Sequence, residues 1–154
     1  MTREHDSLLM TELLIKNEEG INKLYLAYAK KFPECGEFWS GLAIEENGHA
    51  DWIRGLAGQV GEGRLHIESG RFRKVAIESF TKYVEDELTR VQKEEIPLIT
   101  ALSIALSVEQ SMIERRFFEI FDTDSAELKH VLQNLATATE EHIKRVEACW
   151  AERR

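Results

Sequence analysis

The chain of 154 residues contains only two cysteines, two prolines and nine glycines, and no long uninterrupted apolar run. Cys35 and Cys149 stand far apart and no CxxC occurs, so neither a disulfide framework nor a zinc or rubredoxin-type iron site is encoded. Both read as ordinary thiols. With proline confined to Pro33 and Pro97 and glycine clustered between residues 58 and 70, most of the chain is free to form long helix. A membrane-spanning helix needs about 18 consecutive apolar residues, and the N-terminal MTREHDSLLM lacks the apolar run of a signal peptide. A cytoplasmic protein without membrane association is expected. Positive charge is also scarce: the net charge is −8 and the pI about 5.2, which argues against a nucleic-acid partner, whose phosphates demand clustered Lys and Arg. An acidic balance attracts metal cations, although it also simply keeps a helical protein in solution.

What is present is a length and a hydrophobic content of 43% that suit one domain over residues 1–154 with a continuous core. Residues 6–32 carry Leu14, Ile21, Tyr25, Tyr28 and Phe32 at helical spacing and stop before Pro33. A second helix, from about Gly36 to Val60, places Trp39, Leu42, Ile53, Leu56 and Val60 on one stripe and ends in GQVGEG. The few residues between them predict an antiparallel hairpin. A third helix begins at Pro97 and keeps Leu102, Leu106, Ile113, Phe117 and Ile120 in phase until a turn at Asp122 to Ser125. The fourth carries Leu128, Leu132, Leu135, Val146 and Cys149. Residues 61–96 join the two hairpins, and Ile77, Phe80, Val84 and Leu88 predict a short amphipathic helix there. Two helix hairpins joined by a long crossover form an all-α, ferritin-like four-helix bundle.

Each apolar stripe is broken at mid-helix by polar residues in phase with the core. The first reads Leu14, Glu18, Ile21; the second Leu42, Glu46, His49, Ile53; the third Leu106, Glu109, Ile113; the fourth Leu135, Thr139, His142, Val146. A carboxylate in an apolar core is unfavourable by several kcal/mol unless neutralised, paired or bound to metal. Arg116 lies two turns from Glu109, and Arg145 sits beside His142 rather than beside a carboxylate, so a metal is the better source of the missing charge. The polar residues of the first two helices lie about 11 to 15 residues from their shared turn and those of the last two about 14 to 18 from theirs. At about 1.5 Å per residue, both sets fall near the middle of the bundle. Glu46 and His49, spaced i and i+3, point from one helix face at one site. A lone Glu on a stripe usually marks a phasing error, but four helices agree here. Adjacent Glu19 and Glu45 read as solvated surface, as do His5, His66 and His130, and the Arg115, Arg116 patch between Glu114 and Glu119 reads as a solvated face. Tyr25, Tyr28 and the tryptophans read as core.

This order of motifs resembles the rubrerythrin-like branch of the ferritin-like superfamily over nearly the whole chain. NEEGINKLYLAYA at 17–29 is similar to the first ligand helix, with Glu18 seven residues before Tyr25. EENGH at 45–49 matches the Glu-x-x-His of the second, ALSIALSVEQSMIE at 101–114 resembles the third with Glu109 as ligand, and LATATEEHIKRV at 135–146 resembles the fourth. In that fourth helix the family's Glu is replaced by Thr139, and Glu140 lies about 100° round the helix. The resemblance implies a metal site of Glu18, Glu46, His49, Glu109 and His142, with Glu46 bridging two iron ions. The five are equally compatible with one ion, or with manganese or zinc.

It further implies an oxidoreductase acting on hydrogen peroxide or oxygen, as a peroxidase or ferrous iron oxidase. The family's rubredoxin domain has no counterpart in this sequence, so electrons are expected from a separate donor protein. Two alternatives remain open: a metal-binding or storage protein with a mononuclear site, and a metal-free bundle serving as an interaction protein. A homodimer is expected by analogy with ferritin-like bundles, since Trp39, Trp52 and Trp150 do not all fit readily inside one core.

Overall fold

Pro33 divides the first hairpin. The helix α1 (Arg3–Lys31) runs until Phe32, whose N–H still donates to the Tyr28 carbonyl at 2.8 Å. Proline disfavours helical geometry in the residue before it, and Phe32 turns out to φ −122°, ψ 72°. A single 3₁₀ turn, Pro33–Cys35, then leads into α2 (Gly36–Gly61). The exit from α2 needs a left-handed residue to satisfy the last carbonyls, and Gly63 supplies it at φ 76°, its N–H donating to Val60 O at 3.0 Å.

The computed structural model describes residues 3–63, 66–67, 71–111, 121–122 and 125–153, with side chains described at 8–63, 74–111 and 125–153. The crossover contains α3 (Arg71–Lys93), which at 23 residues is not the short helix expected but runs alongside α1. Its exposed face carries i, i+4 pairs such as Lys82 with Asp86 at 3.0 Å, while Ile77, Val84 and Val91 are buried. α4 (Leu98–Ser111) starts where Pro97 offers its carbonyl to Thr100 N at 3.0 Å. α5 (Ala126–Arg153) is capped by Ser125, whose hydroxyl accepts from Leu128 N at 3.2 Å. Two strands of two residues each, β1 (His66–Ile67) and β2 (Phe121–Asp122), pair antiparallel with His66 opposite Asp122 and tie the crossover to the loop of the second hairpin. The architecture is otherwise all-α, two helix hairpins linked by a helical crossover. Ile113, Phe117 and Ile120 of the expected third helix, the Arg115 and Arg116 patch with Glu114 and Glu119, and the side chains of His5 and His66 lie outside the described residues.

The core is in two apolar halves. One gathers Ile21, Leu24, Tyr25, Tyr28, Trp39, Leu42, Leu102 and Val146 towards the Pro33 turn; the other gathers Met10, Leu14, Ile53, Leu56, Leu132 and Leu135 at the opposite end. Along α1, α2 and α5 the residues that separate them are those of the polar interruptions. Trp39 anchors the first half, fully buried with its ring 4.8 Å from Tyr28, 5.6 Å from Tyr25 and 5.1 Å from Phe38. Trp39→Ala leaves a large void there and is expected to lower the unfolding free energy by about 3 to 5 kcal/mol. Urea denaturation checks this; a loss below about 1 kcal/mol means that the cluster collapses around the void. Trp52, by contrast, is 46% exposed, and Trp150 is partly buried with Nε1 donating to Ser103 Oγ at 3.0 Å, so only one of the three tryptophans is fully in the core. Among the described residues no helix is long and apolar enough to cross a membrane.

Candidate metal centre

All five residues picked out by stripe phase are buried: Glu46 and Glu109 are fully enclosed, and Glu18, His49 and His142 are at most 5% exposed. Glu18, Glu46, His49 and His142 come from the middle of long helices, between apolar residues of the two core halves, and Glu109 from the last described turn of α4. They assemble into two trios, Glu18, Glu46 and His49, and Glu46, Glu109 and His142. In each trio one donor atom per residue lies within 4.8 Å of the others. Glu46 belongs to both. Its Oε1 is 2.9 Å from His142 Nδ1 and its Oε2 is 3.4 Å from His49 Nδ1, so the two carboxylate oxygens face different histidines. The two imidazoles are stacked, centroids 5.1 Å apart at 22°.

Surrounding groups hold these side chains. Tyr25 donates its hydroxyl to Glu109 Oε1 at 2.8 Å, and that oxygen is also 3.4 Å from His142 Nδ1. Tyr25 is therefore more than core filling. Glu45, expected on the solvated surface, is half exposed but places Oε2 2.8 Å from His142 Nε2, and Arg145 donates to the same oxygen. That also corrects the placing of Arg145, which does sit beside a carboxylate, although not one of the buried ones. The period of α2 put Glu45 off the core stripe correctly; the contact it makes is with another helix, which periodicity along one helix does not encode. Thr139 is fully buried, and its hydroxyl donates to Leu135 O at 3.1 Å, one turn back. The place of Thr139 in the layer is thus filled by a side chain whose proton is committed to its own helix. His130 and Glu140 are exposed, as expected.

The protonation states follow from burial and proximity. Burial disfavours the His142 imidazolium, but hydrogen bonds and charge from Glu109 and Glu46 outweigh it and carry the ring up to about 10. Glu109 is pushed up to about 7, first by burial and then by repulsion from Glu46, against the pull of His142 and Tyr25. Burial would raise Glu46 too, yet hydrogen bonds from His142 and His49 hold its carboxyl below the usual range. Burial, reinforced by the charges of Glu109 and Glu46, raises the Tyr25 phenol well above its ordinary value. In the metal-free chain, then, a proton on His142 supplies part of the positive charge that the layer needs.

One proton does not finish the task. Among the described residues, Glu18 Oε2 and Glu109 Oε2 are buried with no hydrogen-bond partner and Glu46 Oε2 meets only the distant His49 Nδ1 at 3.4 Å, although buried carboxylate oxygens are normally satisfied. A cation between them resolves all three. Three carboxylates and two imidazoles are a donor set of hard oxygen and borderline nitrogen, which suits iron, manganese or zinc. No curated protein and no solved structure matches the chain. The family model named Rubrerythrin matches residues 12–150, a span that holds both hairpins, the crossover and every residue of the two trios, and the chain belongs to the rubrerythrin family.

Proposed function

We propose that this chain, as one domain over residues 1–154, is a non-haem di-iron oxidoreductase of the rubrerythrin type, a peroxidase or ferrous iron oxidase. The observation that supports this above all is the sharing of Glu46 between two trios, since a carboxylate with each oxygen facing a different histidine is placed to bridge two ions. Glu18 and His49 complete one position, Glu109 and His142 the other. Bound iron supplies the redox chemistry, in which peroxide takes up two electrons and two protons to give two waters, the electrons coming from a separate donor protein.

The chain's own residues prepare that chemistry. The two apolar halves of the core exclude bulk water from both sides of the layer, which strengthens every charge interaction within it. Glu46 and Glu109 give up no hydrogen bonds to solvent on binding a cation, because burial has already removed them. Tyr25 holds Glu109 by its hydroxyl proton and keeps that carboxylate oriented. At Thr139 the ring of carboxylates is one short, which favours a second reading, a binding or storage protein with one ion.

Elemental analysis of untagged protein after anaerobic ferrous loading separates these. About two irons per chain, with peroxide consumed when an artificial reductant is supplied, is the expected result. One metal per chain without turnover selects the storage reading, and none, with unchanged thermal stability after chelation, selects a metal-free interaction protein.

A further inference from the structure

Glu45 stands on the flank of α2, next to Glu46, with 42% of its side chain exposed. Its ion pairs among the described residues are with α5. Oε2 lies 2.8 Å from His142 Nε2, and Arg145, one turn further along α5, donates to that same oxygen. The opposite edge of the imidazole faces the buried layer, with Nδ1 2.9 Å from Glu46 Oε1 and 3.4 Å from Glu109 Oε1. The ring is therefore held at both nitrogens, by the candidate centre inside and by Glu45 outside.

A neutral imidazole carries one proton and one lone pair, and only the nitrogen with the lone pair can bind a cation. When a cation displaces the Nδ1 proton of the imidazolium, a carboxylate that accepts the remaining proton at Nε2 holds the tautomer whose Nδ1 lone pair is aimed towards Glu46 and Glu109. Arg145 pins the accepting oxygen through a charge-assisted bond and limits how far the pair can swing.

We propose that Glu45, clamped by Arg145, is a positioning residue that presents His142 Nδ1 to a cation held with Glu46 and Glu109. This rests on reading the five residues as ligands. Glu45 need not touch the metal or the oxidant; it acts through His142.

Cobalt(II) is a suitable probe, because its visible bands report the donor set of each ion as it binds. Anaerobic titration of the wild-type chain is expected to show two steps, one of them lost in Glu109→Gln and kept in Glu18→Gln. Glu45→Ala is expected to weaken that Glu109-dependent step by about 10 to 100-fold and alter its bands, leaving the other step in place. Glu45→Gln keeps an oxygen that can accept the Nε2 proton and should restore much of the loss. A merely structural role would not separate the two variants or the two steps. If Glu45→Ala leaves the Glu109-dependent step unchanged while the wild type binds cobalt normally, the positioning role is overturned and the ligand assignment survives. Weakening of the Glu18-dependent step in place of the Glu109-dependent one also overturns it. Should the wild type take up no cobalt at all, both fall together.

Discussion

Glu46→Gln is expected to abolish metal uptake at both positions, whereas Glu18→Gln or Glu109→Gln should remove only one. Glu46 is the residue common to the two trios, and it is fully buried, with its oxygens turned towards different histidines. Glutamine has nearly the same shape, so the helices have no reason to move, but the bridging charge is gone. Removing one partner from a buried charged group costs about 3 to 5 kcal/mol, or about two to four orders of magnitude in affinity. Iron per chain after anaerobic loading is the measurement. Two ions retained by Glu46→Gln would remove the basis for a bridged centre.

The second large effect is a pH dependence of the metal-free protein that metal loading removes. His142 is raised from an ordinary 6.5 to about 10, so its contribution to metal-free stability is complete below pH 6.5 and is lost as pH rises through 10. Glu109, raised from 4.5 to about 7, contributes fully below pH 4.5, and that contribution is lost as pH rises through 7. Glu46 is lowered instead, so what it adds is present above pH 4.5 and lost only at more acid pH, outside this window. Metal-free protein should therefore melt at progressively lower temperature between pH 6 and 9. A cation must displace the protons on His142 and Glu109, so its binding tightens over the same range and the loaded protein gains on the metal-free one. Melting curves of both forms at three pH values check this. A metal-free Tm that rises or stays level from pH 6 to 9 contradicts the charge balance described for the layer.

The helices and the buried layer were legible in the sequence for one reason, that burial imposes its period on every helix it touches. Leu14, Ile21, Tyr25, Trp39, Leu42 and Ile53 are all at most 1% exposed, as their spacing predicts, and Glu18, Glu46, His49, Glu109 and His142 are buried with them because they occupy the same phase. Other features escaped for equally physical reasons. The crossover helix was underestimated because its exposed face is rich in Lys and Glu and, of the residues that marked it, Ile77 and Val84 are buried while Phe80 and Leu88 are only partly so. Glu45, Arg145 and the hydroxyl of Tyr25 act across helices, between residues as far apart in sequence as 100 positions for Arg145 and Glu45. Such pairings depend on how the helices are rotated against each other. The nearest thing to a signal for Glu45 was its place beside Glu46 in EENGH, and a solvated glutamate looks the same there.

The sharing of the trios among the helices also sets an order of assembly. Glu18, Glu46 and His49 lie on α1 and α2, which a three-residue turn joins, so this half can form early, with little chain entropy lost in closing the loop. Glu109 and His142 must come from the other hairpin, and His142 reaches Glu46 across 96 residues of chain, only after the crossover is in place. Contacts of that kind form late, beyond the folding barrier. A cation held across both halves would accordingly leave the folding rate almost unchanged and slow unfolding, giving the loaded bundle a longevity that its equilibrium stability alone does not convey.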